Sequence, residues 1–133
     1  MNACAGRANR TVVHTEKAPQ AIGPYSQAVK TDTMVFVSGQ LAFDPVSGDL
    51  MTGDIKTETR QAMYNLKEIL EASGSSLEKV VKTTLFIKNM DDFPLVNEVY
   101  AEFFRENYPA RACVEVARLH RDANFEIEAI GLL

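Results

Sequence analysis

Two short runs constrain this chain more than any other feature. Met34-Val35-Phe36-Val37 and Leu85-Phe86-Ile87 are apolar at every consecutive position. Both are rich in β-branched and aromatic residues, which suit strands. A strand with one wet face alternates apolar and polar residues, whereas a strand apolar throughout is covered on both faces. The sheet that holds these strands therefore needs cover on each side.

The rest of the chain supplies cover for one side only. Asp54 to Ser73 reads as a helix, because Ile55, Ala62, Met63, Leu66, Ile69 and Leu70 share one helical face. Gly74 follows as its left-handed cap. A second helix begins at Asp91 or Asp92 and tolerates Pro94 in its first turn. Its apolar stripe is Phe93, Val96, Tyr100, Phe103 and Phe104, and Pro109 stops it. Strands are expected at Thr11 to Thr15, Ser26 to Lys30, Leu77 to Ile87, Arg111 to Arg118 and Asn124 to Leu132. The Met34 strand should end at Ser38-Gly39. Ala18 to Tyr25 reads as an irregular loop, and Asp44-Pro45 with Ser47-Gly48-Asp49 ties a hairpin-like excursion. This order predicts an α+β domain: a mixed sheet with two helices on one face. The other face wants a partner, and the simplest is a second copy of the chain.

Length allows one domain, read as residues 11–133 behind a flexible N-terminal tail, 1–10. With 46% apolar and 24% charged residues, a core can form without disulfides or a structural metal. Fourteen basic against 18 acidic residues leave a net charge of −4, which argues against a nucleic-acid partner but leaves room for a local cationic pocket. Cys4 and Cys113 form neither a disulfide framework nor a CxxC pair, so a reducing, cytoplasmic setting is expected. The acid-free first ten residues raise a mitochondrial transit peptide as the alternative. No segment approaches the roughly 20 apolar residues that span a bilayer.

The densest chemistry lies near the C-terminus. In Arg111-Ala112-Cys113-Val114-Glu115-Val116, alternation puts Arg111, Cys113 and Glu115 on one strand face. A guanidinium there suits two-pronged capture of a carboxylate. The competing reading pairs Arg111 with Glu115, Glu126 or Glu128. Glu126 and Glu128 share a face of the last strand, either as an acid–base group among apolar neighbours or as a solvated edge. Cys113 as a nucleophile would need a base, and neither His14 nor His120 stands at a telling spacing, so a core-filling thiol is the simpler reading. Arg118, His120 and Arg121 form a local basic stretch without interleaved aromatics, which suits a solvated strand end better than RNA. No glycine-rich phosphate loop, HExxH or His/Cys cluster occurs, so neither a metal nor a nucleotide cofactor is expected.

Five stretches then resemble, in order, the motifs of the Rid (YjgF-type) family. They are Ala21-Ile22-Gly23-Pro24-Tyr25-Ser26-Gln27-Ala28, Val37-Ser38-Gly39-Gln40, Val81-Lys82-Thr83-Thr84-Leu85-Phe86-Ile87, Pro109 to Leu119, and Glu126-Ile127-Glu128-Ala129-Ile130. The resemblance runs from about Thr11 to Leu133. It implies a chorismate-mutase-like fold, a homotrimer, and pockets between subunits. It also implies a deaminase that hydrolyses 2-iminobutanoate and 2-iminopropanoate, released by pyridoxal-phosphate dehydratases, to 2-keto acids and ammonia without metal or cofactor. The family's deaminating branch carries an arginine where Arg111 stands. On this resemblance Arg111 clamps the substrate carboxylate and Glu126 activates water. Tyr25 and Asn97 line the pocket, and Ser38 and the backbone at Cys113 add polar contacts. Where the family usually has Leu-Pro-Lys-Asp, this chain has Leu119-His120-Arg121-Asp122, read here as a surface turn away from the pocket. Two other functions stay open: an endoribonuclease or translation inhibitor, and a non-catalytic trimeric binder of small carboxylates or chaperone-like protein.

Overall fold

Six strands make one sheet in the order β1-β2-β3-β6-β4-β5. They are β1 (Thr11–Val13), β2 (Ala28–Lys30), β3 (Met34–Gln40), β4 (Val80–Ile87), β5 (Ala110–Glu115) and β6 (Phe125–Leu132). The molecule is described by a computed structural model over residues 9–133. The expected tail lies outside the described residues except for Asn9 and Arg10, and Cys4 lies outside with it. Every neighbouring pair is antiparallel except β4 and β5, which run parallel. A parallel pair needs a long crossover, and the helix α2 (Phe93–Phe104) provides it.

The first helix, α1 (Ile55–Ala72), forms where its apolar period says it should. Asp54 caps it by accepting from the Thr57 backbone N–H at 3.3 Å. At the other end Gly74 takes φ +87°, and Gly74 and Ser75 donate to the carbonyls of Glu71 and Leu70, the paired bonds of a Schellman cap. Met63, Leu66, Ile69 and Leu70 are fully buried. Each such side chain contributes about 1.5–3 kcal/mol by leaving water. Both helices pack on one side of the sheet, with Val35, Val37, Leu85, Ile87, Ile127, Val96 and Tyr100 in the same core.

The opposite side of the sheet stays open in the single chain. Phe36, Val114 and Leu132 are each more than two-fifths exposed there, and Phe86 and Ile130 lie between them half-buried. The consecutive apolar pattern of β3 and β4 is thus accounted for on one face by the helices. On the other it remains an uncovered apolar surface.

Three strands are shorter than expected: β1 ends at Val13, β2 begins at Ala28, and β5 runs from Ala110 only to Glu115. Two further boundaries differ as well. Leu77–Lys79 forms a single 3₁₀ turn, so β4 begins only at Val80. β3 does not stop at Ser38-Gly39 but runs to Gln40. Between Val37 and Gln40 its register against β6 shifts, so these residues sit in a bulge rather than at a strand end. Bulges re-aim side chains and recur beside functional sites. The hairpin-like excursion is as read: Phe43 bridges Leu50, and Asp44 and Asp49 pair through their backbones. Among the described residues no helix is long and apolar enough to cross a membrane.

Candidate active site

Arg111 is held by the face of α2 that meets β5. Residues Phe93, Asn97 and Tyr100 recur at the spacing of one helical face. The Arg111 guanidinium lies 5.3 Å from the Phe93 ring centre and 4.9 Å from that of Tyr100. Its Nη1 donates to Asn97 Oδ1 at 2.9 Å. The Tyr100 hydroxyl meets Thr83 Oγ1 at 2.8 Å, and Thr83 is the β4 residue directly opposite Arg111. One tyrosine therefore supports the guanidinium and ties it to the central strand. Burial raises the Tyr100 phenol, opposed by the Thr83 bond and by Arg111.

Among the described residues Arg111 has no carboxylate partner. Glu115 is engaged elsewhere, accepting from the Met90 backbone N–H at 2.8 Å. Glu126 and Glu128 stand opposite Phe86 and Thr84, on the face of the sheet that Arg111 does not share. The reading that pairs Arg111 with one of these glutamates fails on all three. What remains is a guanidinium braced by a neutral amide and two rings, with donors free for an anion.

Cys113 neighbours Arg111 on the same strand face and is partly buried. Burial raises its thiol, with Arg111 pulling the other way. A nucleophilic cysteine needs a lowered thiol and a base beside it. Here the thiol fills space, as expected.

Glu126 occupies a different place. It lines a cleft of about 600 Å³ together with Tyr25, Ser38, Gly39, His120 and Glu128. The carboxylate lies directly over the β3 bulge: a Cβ built on Gly39 would stand 2.0 Å from Glu126 Oε2. Glycine at 39 is therefore a condition of the carboxylate's position. Burial raises the Glu126 carboxyl above the ordinary carboxylate range, repulsion from Glu128 adds to it, and His120 opposes it. A carboxyl so placed can take and return a proton nearer neutrality than a solvated one. A second cavity, of about 380 Å³, continues from the same wall, sharing Ile22, Tyr25, Gly39, Leu41 and His120 and adding Phe43 and Val46.

The structure thus gathers the six expected residues into two groups: Arg111, Asn97 and Cys113 on the closed face, and Tyr25, Ser38 and Glu126 on the open face. It does not join the groups within one chain. The Ser38 hydroxyl is already committed, donating to the Ser26 carbonyl at 2.6 Å. Tyr25 is about half exposed, at 51%, which leaves its ring available at the cleft. One expectation is corrected. The Leu119–Asp122 turn does touch the pocket, because His120 forms part of the cleft wall.

Two supporting residues, Gln27 and Glu58, carried no functional signal of their own in the sequence. Gln27 is buried, and its amide donates to the carbonyls of Thr15 and Pro19 while its oxygen accepts from the Thr15 N–H. It thereby pins the loop that carries Tyr25. Glu58, fully buried on α1, accepts from Asn124 through both backbone and side chain, at 2.7 and 2.9 Å, and fixes the start of β6. Phe93 and Tyr100 appeared only as core stripe. No group of three or more metal-ligating side chains occurs among the described residues.

A family profile described as Endoribonuclease L-PSP matches residues 15–133. The chain belongs to this family, the Rid (YjgF) proteins. Its Rid relatives include a RutC family protein of Pyrococcus horikoshii, 53% identical over 92% of this chain and 97% of that one. A Homo sapiens protein named 2-iminobutanoate/2-iminopropanoate deaminase is 47% identical over 92% of this chain and 90% of its own. The crystal structure of E. coli TdcF with bound serine superposes with a TM-score of 0.89 at 41% identity, covering 92% of this chain and 98% of that one. Several Rid homologues thus carry a deaminase name, while the family description carries a ribonuclease one.

Proposed function

We propose that this Rid protein is a 2-iminobutanoate/2-iminopropanoate deaminase, hydrolysing enamine and imine intermediates to 2-keto acids and ammonia. The observation that carries the reading is the unpaired Arg111, whose guanidinium is braced by Asn97, Phe93 and Tyr100 and left without a carboxylate. A buried-edge guanidinium prepared in this way fits the planar carboxylate of a 2-imino acid. The names of the deaminase relatives support the same substrate class.

Glu126 is the proton-transfer group of the reaction. It accepts a proton from water as the oxygen bonds to the imine carbon, giving a carbinolamine. That proton passes to the nitrogen, the carbinolamine hydroxyl proton follows it, the C–N bond breaks, and ammonia leaves with both water protons as the keto acid forms. Imines hydrolyse without help in water, so alignment and proton transfer suffice, with no step assigned to a metal or cofactor. Because Arg111 and Glu126 lie on opposite faces of one sheet, each site takes Arg111 from one copy and Glu126 from another. The open apolar face of β3, β6 and β4 is the surface on which copies meet, in a homotrimer. Tyr25 and Asn97 line the pocket so formed, and the backbone at Cys113 adds a polar contact.

The test generates 2-aminoacrylate in situ with a serine or threonine dehydratase and follows keto-acid or ammonia release. Wild type should accelerate release and Arg111→Ala should not. Equal rates with and without wild-type protein would overturn the deaminase reading, and Arg111- or Glu126-dependent RNA cleavage would then be sought instead.

A further inference from the structure

The corner that leads into β6 is held from four sides. Arg121 and Asp122 both adopt left-handed backbone, at φ +57° and +58°. Such a conformation costs a non-glycine residue about 1–2 kcal/mol and persists where its surroundings impose it. Here Lys88, just beyond β4, pairs with Asp122. The Arg121 guanidinium lies 5.6 Å from the centre of the Phe43 ring. The His120 ring lies 6.1 Å from that same ring, tilted by 50°. Glu58 grips Asn124 from below. The outcome of all four contacts is that the His120 imidazole stands in the wall of the Glu126 cleft.

The other groups facing Glu126 give this placement its meaning. Its own strand presents Glu128, and the loop before β2 presents the Tyr25 phenol. β3 contributes only Ser38 and Gly39 to the cleft, and β4 sets Phe86 opposite Glu126, so neither strand brings a charge. Lys82 of β4 shares a separate hollow with Glu128. Arg121 lines the adjoining cavity rather than the cleft itself. Arg111 of a second copy would bring a positive charge that is constant at every working pH. His120 is the one basic side chain among the residues that line the cleft.

We propose that His120 acts on the reaction through Glu126, its imidazole, braced on Phe43 in the cleft wall, being the basic group set beside that carboxylate. The inference rests on Glu126 being the proton acceptor of the proposed deamination. Burial and Glu128 push the Glu126 carboxyl up, and His120 is the group that pulls it down. The sign follows. A general base works as its carboxylate, so turnover falls as pH drops through the Glu126 titration. Removing His120 lifts that titration, and the acid limb of the pH–rate profile moves to higher pH. His120 is a positioning residue in this account, since it need touch neither substrate nor water.

The experiment compares wild type with His120→Gln and His120→Phe, the second keeping a ring against Phe43. Carbon-13 NMR follows the Glu126 carboxyl through its titration in the assembled protein without substrate, and the pH–rate profile is recorded alongside. Both variants should raise the carboxyl midpoint and the acid limb by at least about half a pH unit. That is about a threefold loss of the ionised fraction on the acid side. Any loss of turnover should be larger at acid pH than at alkaline pH. An unmoved carboxyl midpoint in both variants overturns the proposal, and a uniform loss of rate with no change in profile does so too. Because the titration needs no substrate, a wild type without deaminase activity would sink the functional reading while leaving this one to be judged by NMR.

Discussion

At the Arg111 corner the charged group sits on the closed face of the sheet, flanked by rings and fastened to Asn97. In the Glu126 cleft the charged group sits on the open face, over a bare glycine, with another glutamate beside it. The first place is rigid and positive, and it fits an anion that stays an anion throughout the reaction. The second is acidic and raises its own proton affinity, and it fits a group that must gain and lose a proton. Under the proposed function, the contrast teaches that binding and proton transfer are built on opposite sides of one sheet, where neither charge can neutralise the other inside a chain. A salt bridge between them would have silenced both.

The sharpest way to break this division is Glu126→Gln. It keeps the shape of the cleft and removes the base, so kcat should fall by about 10²–10⁴-fold. Substrate KM should change little, since Arg111 still holds the carboxylate. A loss confined to KM would reverse the assigned roles. Gly39→Ala attacks the same half without touching an ionisable group. The added Cβ must displace the carboxylate it would otherwise meet at 2.0 Å. A displacement near 1 Å can cost about 10²-fold in rate, and steady-state kinetics with unchanged thermal stability would register it.

Mixing tests the division between chains. Arg111→Ala and Glu126→Gln proteins should each be inactive alone. When unfolded and refolded together in equal amounts, they should recover about a quarter of wild-type activity, because a random closed ring places an intact arginine beside an intact glutamate at about one interface in four. No recovery would mean that both groups serve the same chain. The smallest effect should come from Tyr100→Phe. It removes the hydroxyl that meets Thr83 and leaves a buried oxygen without its partner. Denaturant unfolding should show a loss of about 1–3 kcal/mol, while the ring under Arg111 remains and activity falls only a few-fold.

How much of this was legible before folding depends on how local the cause was. The α1 helix could be read residue by residue, because Asp54, the apolar period and Gly74 all act within a turn or two. The face shared by Arg111 and Cys113 could also be read, since strand alternation is a short-range rule. That Arg111 and Glu126 end on opposite faces could not. It follows from β6 inserting between β3 and β4 while β5 joins β4 in parallel, and no local pattern in either strand encodes that order. The Leu119–Asp122 turn was misplaced for the same reason. Its direction comes from Phe43, Lys88 and Glu58, residues distant in sequence, acting on two residues in left-handed backbone. Gln27 and Glu58 were silent because a buried polar side chain with all its partners looks, in sequence, like any surface one.

The open apolar face has a consequence for how much work a given amount of protein can do. If that face is where the two halves of the site meet, a lone chain is a finished fold and an unfinished catalyst. Specific activity then depends on total concentration, falling on dilution as assemblies come apart and climbing steeply as they form. Chains newly made or present in trace amounts contribute nothing to turnover, so output follows abundance with a threshold rather than in proportion.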